Sequence, residues 1–297
     1  MIKSKSYSTK LTWSEKINDY KMLVKMRLNF MVVISSILAF LMVSGGNFTW
    51  VQLLVLGLGG FFVTGAANAL NQVLESEHDA LMKRTANRPL AAGRMNKNEA
   101  VVAAGMMSLI GICLLALFNP LTAFLGMCSM ILYAFVYTPL KRFHTAAVAV
   151  GAIPGALPVL IGCVAFEGSI SSLALILFAI QFLWQFPHFW AIGFLAFDDY
   201  QKAGYKLLPE KDGVIDRNLG LHSFMYTIII LPLLGLSFFL GSMNSIAIIL
   251  VVICTLIYAW FGLNFHNKFD TKSAKHLMFS SFFYLPVVLL ILILGNL

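Results

Sequence analysis

Nine predominantly apolar runs, at 28–45, 50–73, 100–118, 121–138, 145–165, 171–195, 221–240, 244–264 and 276–295, constrain this chain more than any other feature. About 20 such residues cross a bilayer as a helix, and in lipid only a helix or a closed barrel satisfies its own backbone hydrogen bonds. The runs are too long and too continuously apolar for barrel strands. The predicted fold class is therefore all-α integral membrane, a bundle of nine transmembrane helices. Turn formers separate the runs at Gly45-Gly46-Asn47, Asn119-Pro120, Glu167-Gly168 and Gly241-Ser242. Only 11% of the residues are charged and 59% are hydrophobic, which excludes an ordinary soluble domain.

Residues 1–27 read as a cytoplasmic N-terminal segment and 28–297 as the nine-helix domain. The polar, lysine-rich start is no cleavable signal, so the first span is expected to do the targeting. Residues 11–28 mix Trp, Tyr, Leu and Lys as a helix lying in the membrane interface does. Cys113, Cys128, Cys163 and Cys254 lie in separate apolar runs without CxxC spacing, and are expected to be small buried hydrophobes.

Charge placement narrows the function. With loops assigned alternately to two sides, all 21 Lys and Arg fall on one side, which the positive-inside rule makes cytoplasmic and which puts the C-terminus on the other side. Of the 13 Asp and Glu, all but Glu167 follow them. That rule does not require acids to accompany bases, so both signs together predict a polar working site with one entrance, the cavity opening on the cytoplasmic side.

The second run ends in Asn71, Glu75 and Asp79, four residues apart and hence one oxygen-rich stripe along a helix. Stacked carboxylates repel unless a cation sits among them, and hard oxygens at this spacing suit Mg²⁺. Arg84 and Arg88 follow, able to hold the anion that the metal would bridge. The sixth run ends in Asp198-Asp199, again followed by bases, and the fourth in Tyr137-Thr-Pro-Leu-Lys141-Arg142. Arg27, at the mouth of the first run, is the site candidate of its segment. Two acidic clusters and several cations at the rim of an apolar bundle suit a lipid with a diphosphate head, and a dry cavity would protect an allylic cation formed when the diphosphate leaves.

The stripe followed by Met82-Lys-Arg-Thr85 and Arg88-Pro-Leu90 resembles the first aspartate-rich motif of the UbiA-type intramembrane prenyltransferases. Tyr137–Arg142, Gly151–Gly162, Trp184-Gln-Phe-Pro-His-Phe189 and Asp199-Tyr-Gln-Lys-Ala-Gly204 narrow the likeness to the branch that farnesylates protohaem IX. The resemblance implies a UbiA-type bundle in the inner membrane that transfers farnesyl from farnesyl diphosphate to a vinyl group of haem B, giving haem O. It implies Mg²⁺ held by Asn71, Glu75, Asp79, Asp199 and Asp198, and diphosphate held by Arg84, Arg88, Tyr137, Lys141, Arg142 and Arg27. It implies as partners the lipid bilayer and a haem A synthase or oxidase assembly factors, with no nucleic acid. Three positions depart from the pattern: Glu75 replaces an Asp, 143–147 lacks an Asn that often follows the Lys-Arg pair, and Leu195 stands four residues before Asp199.

His188, after Pro187 within a membrane span, is either a contact to haem iron or a packed histidine. An aromatic quinone precursor is the alternative acceptor. A transporter is disfavoured, since transporters carry polar groups at mid-membrane.

Overall fold

The computed structural model describes residues 12–211, 213–241 and 243–296. Lys3, Lys5 and Lys10, and the start of the proposed interfacial helix, lie outside them. Among the described residues, nine helices are long and apolar enough to cross a membrane. In chain order the helices are α1 (Trp13–Leu23), α2 (Met26–Ser44), α3 (Trp50–Asp79), α4 (Lys97–Ala116), α5 (Pro120–Leu140), α6 (Ala147–Glu167), α7 (Ser172–Leu195), α8 (Phe197–Lys202), α9 (Leu219–Phe239), α10 (Ser245–Lys268) and α11 (Thr271–Asn296). A two-residue antiparallel hairpin, β1 (Glu210–Lys211) and β2 (Val214–Ile215), sits in the loop before α9.

Local chemistry sets the boundaries. Thr12 with Glu15, and Thr49 with Gln52, form capping boxes that start α1 and α3. Asn119 caps α5 ahead of Pro120, whose missing N–H costs nothing in the first turn. The interfacial helix does not run on to residue 28: it ends at Leu23, and Lys25 takes a left-handed conformation (φ 48°) before α2 begins. α3 outlasts its apolar run by six residues. At 1.5 Å per residue it is about 45 Å long, against a hydrocarbon layer of about 30 Å, so it carries its final turns past the membrane core.

α6 is the central helix, with 78% of its span window buried, and it packs against α2, α5 and α7. Small residues permit this: a Cβ on Gly162 would lie 2.1 Å from the Ser36 backbone oxygen in α2. Gly162→Ala is accordingly expected to destabilise the bundle by about 1–3 kcal/mol, because backbone cannot rotate away as a side chain can. Thermal unfolding in detergent reads this out, and an unchanged midpoint would contradict the close crossing. Ser129 in α5 donates to the Pro154 carbonyl (3.3 Å), next to the prolines inside α6.

The cysteine expectation needs correction. Cys163 is buried, but Cys128 and Cys254 are only partly so and Cys113 is exposed. An apolar thiol on the outer face of a span meets lipid, so burial was not required.

Candidate active site

The last turns of α3 present Asn71, Glu75 and Asp79 on one face, and all three are buried, at 0%, 3% and 1% exposure. Each carries a cation from a different part of the chain. Lys25 Nζ donates to Asn71 Oδ1 (2.8 Å). Lys141 Nζ donates to Glu75 Oε1 (2.7 Å), and Arg88 Nη1 donates to both oxygens of Asp79 (2.8 and 2.7 Å). Asn71 Nδ2 links the row by donating to Glu75 Oε2 (2.8 Å) and Thr138 Oγ1 (2.9 Å). The repulsion expected of stacked carboxylates is thus relieved by side-chain cations.

Several elements deliver these groups. After α3 the chain turns back on itself, with Thr85 Oγ1 donating to the Asp79 carbonyl (2.8 Å), which aims Arg88 at the carboxylate one turn above. Arg94 pins the same loop to α1 through Asp19 (2.8 Å) and braces it internally through Asn87 (2.9 Å). In α5 a π-helical stretch, Leu132–Tyr137, precedes Lys141; such stretches insert a residue into the helical repeat and recur at functional sites. It sets the rings of Tyr133 and Tyr137 5.5 Å apart, with Lys141 Nζ 4.5 Å from the Tyr137 ring centre. Gly151 leaves room for that ring, since a Cβ there would come within 2.6 Å of it.

The second acidic segment reaches the first through Arg84. Its Nη2 donates to Tyr200 Oη (3.0 Å) and its guanidinium lies 5.2 Å from the ring centre. Burial would lower the Arg84 pKa, but Tyr200, Asp199 and Asp79 outweigh it and hold the pKa raised. Asp199 is half-buried, while Asp198 is exposed on the short α8. Among the described residues, Arg142 makes one long hydrogen bond, to the Leu74 carbonyl (3.5 Å). Arg27 is exposed, and among the described residues it takes no ion pair.

Lys25 stands where Arg27 was expected. Burial first, then Arg88 and Lys141, push its ammonium down to about 7, against the pull of Glu75 and Asp79. Its only sequence signal was membership in a run of bases, and helical phase carried from α2 misleads because the helix breaks at this residue. Thr138, Tyr200 and Tyr205 were also missed, although each flanks a motif residue. Tyr205 is buried against His78, the rings stacked 5.8 Å apart at 15°.

The donor set suits Mg²⁺. Among the described residues no three His, Cys, Asp or Glu converge into a metal cage. Mg²⁺ does not need one, since it takes one or two carboxylates and fills its octahedron with waters and phosphate oxygens. Glu75 and Asp79, with the Asn71 amide oxygen one turn before Glu75, are donors of that kind, and in this structure Lys25, Lys141 and Arg88 engage their oxygens.

His188 lies apart from this cluster. Its ring stacks on Trp184 (5.1 Å, 18°) and meets Phe282 edge-on, and Nδ1 is 2.7 Å from Ser281 Oγ.

The sequence profile of the UbiA prenyltransferase family matches residues 32–285. The chain belongs to that family. It is 38% identical over 278 residues to a protoheme IX farnesyltransferase of Cytophaga hutchinsonii, covering 93% of this chain and 97% of that one. It is 40% identical over 286 residues to the enzyme of the same name from Flavobacterium johnsoniae, covering 94% of each. Among solved structures, a digeranylgeranylglyceryl phosphate synthase superposes with a TM-score of 0.79 at 20% identity, over 95% of this chain and 99% of that one. A UbiA homolog from Archaeoglobus fulgidus bound to GPP and Mg²⁺ superposes with a TM-score of 0.62 at 13% identity, over 92% and 99%. At these identities the structural likeness establishes the fold. This UbiA-family chain is a multi-pass membrane protein.

Proposed function

We propose that this prenyltransferase transfers the farnesyl group of farnesyl diphosphate to a vinyl group of haem B, giving haem O. The observation that carries the reading is the buried Asn71–Glu75–Asp79 row with its three cations at one end of an apolar bundle, in a chain whose relatives bear the name protoheme IX farnesyltransferase. An aromatic acceptor would need the same diphosphate site but has no support from those relatives.

In this reading Glu75, Asp79 and Asn71, joined by Asp199 and Asp198, would hold Mg²⁺, which when bound neutralises charge on the departing diphosphate. Arg84, Arg88, Lys141 and Tyr137 bind and orient the phosphate oxygens, with Lys25 added to the set and Arg142 and Arg27 at its margin. Fixed cations aimed at the leaving group favour the state in which its charge develops. The farnesyl C1–oxygen bond breaks with its electron pair going to diphosphate, and C1 bonds to the outer vinyl carbon. Water adds to the inner carbon and releases a proton. The apolar spans keep other water away from the allylic cation.

The active-site loops and N-terminus are assigned to the cytoplasmic face, and the C-terminus to the other, from the one-sided placement of all 21 bases. The product would pass to a haem A synthase or an oxidase assembly factor.

Incubating the purified protein with haem B, farnesyl diphosphate and Mg²⁺ tests the reading, with haem O identified by mass. No haem O from folded protein would reopen the choice of acceptor. His188 is proposed as the haem contact, Ser281 orienting its ring through Nδ1 so that Nε2 can face the iron. His188→Ala is expected to weaken haem B binding about tenfold or more and to alter its Soret band. An unchanged titration assigns His188 to packing.

A further inference from the structure

Tyr205 is a buried phenol that the arrangement above leaves without a task. Its residue is 7% exposed, and its hydroxyl is enclosed with no hydrogen-bond partner among the described residues. The ring is held on two sides. His78, adjacent to Asp79, stacks on one face, and Lys141 Nζ, which also binds Glu75, lies 5.7 Å from the ring centre. The backbone is tied as well: Lys206 N donates to the Lys141 carbonyl (2.7 Å) and Tyr205 N to the Tyr200 carbonyl (2.9 Å). Burial, followed by the charges of Glu75 and Asp79 and the closeness of the Glu75 carboxylate, raises the phenol pKa.

A buried hydroxyl left unpaired is costly and calls for an explanation. Here it lies close enough to Glu75 for that carboxylate to act on it directly, yet the contact lacks the alignment of a hydrogen bond. Fixed ring, fixed backbone and a donor without an aligned acceptor describe a group built to meet a ligand oxygen beside Glu75 and Asp79. The anion that the neighbouring cations suit is a diphosphate.

We propose that Tyr205 is a substrate-binding residue whose hydroxyl donates to a diphosphate oxygen at the Glu75–Asp79 row. This rests on the diphosphate reading of that row. The hydroxyl gives a hydrogen bond without losing its proton, so it stabilises the leaving group by donation alone.

Tyr205→Phe keeps the ring stack and the Lys141 contact and removes only the donor. In calorimetric titration of the full-length protein with inorganic pyrophosphate and Mg²⁺, the variant is expected to bind about tenfold more weakly, as for a lost hydrogen bond to a charged group. Its melting temperature is expected to equal or exceed that of wild type, since the substitution removes an unpaired buried polar group. Equal pyrophosphate affinity in the two proteins overturns the proposal. So does weakened Mn²⁺ binding, measured without pyrophosphate, alongside unchanged pyrophosphate affinity, which would make Tyr205 a positioning residue for the carboxylates. Failure of the wild type to bind pyrophosphate overturns the reading of the row and this assignment with it.

Discussion

Replacing Asp79 by Asn is expected to cut haem O formation by about 10²–10³-fold or more while leaving the bundle folded. Asp79 is 1% exposed and both its oxygens are engaged by Arg88 Nη1. Alanine would strand that guanidinium beside a buried gap. Asparagine instead preserves an acceptor for it and removes only the negative charge, so the loss reports on the carboxylate's proposed hold on the Mg²⁺ that would neutralise the leaving group. Losses of this size follow removal of a single preorganised group that stabilises transition-state charge. The measurement is product mass under saturating haem B and farnesyl diphosphate, with melting in detergent as the control for folding. Wild-type turnover by Asp79→Asn would take the α3 row out of the chemistry.

The second large effect belongs to Lys141. The Lys141 and Glu75 side chains are 10% and 4% exposed and meet at 2.7 Å. Removing one member of a buried pair leaves an uncompensated charge, which costs about 3–5 kcal/mol. Lys141→Met is therefore expected to destabilise the protein by that amount and to weaken pyrophosphate binding. Adding Glu75→Gln should restore much of the stability, since neither position of the pair then carries a charge, yet should not restore binding. Denaturant unfolding and pyrophosphate titration of the single and double variants separate the two effects. Wild-type stability in Lys141→Met would show that the pair is not buried as described.

Much of this architecture is written in patterns that survive without a structure. The spans are legible because the bilayer imposes a length on every apolar run, and most ends of the observed helices lie within two residues of those expected. The Asn71–Glu75–Asp79 row is legible because four-residue spacing on a helix gives one face whatever the surroundings. What the sequence conceals is where a helix stops. α3 continues six residues past its apolar run, because its backbone ladder does not depend on the side chains being apolar. α1 and α2 are separate because Lys25 leaves the right-handed region, and nothing in Lys-Met-Arg-Leu announces that. The break decides which base enters the site, so Arg27 was the natural guess and Lys25 is the residue in contact with Asn71. Tyr205 was hidden for another reason: it is placed by a loop packing on Lys141 and His78, and contacts between distant loops leave no periodicity to read.

The left-handed conformation of Lys25 carries a warning for protein engineering. Glycine is the residue that such a backbone favours, and a side chain there costs about 1–3 kcal/mol. Any stabilisation procedure scored on folding alone will select glycine at this position and thereby delete the ammonium that caps Asn71. In this chain a gain in robustness at residue 25 would be bought with the cation that the proposed diphosphate site draws from the N-terminal segment.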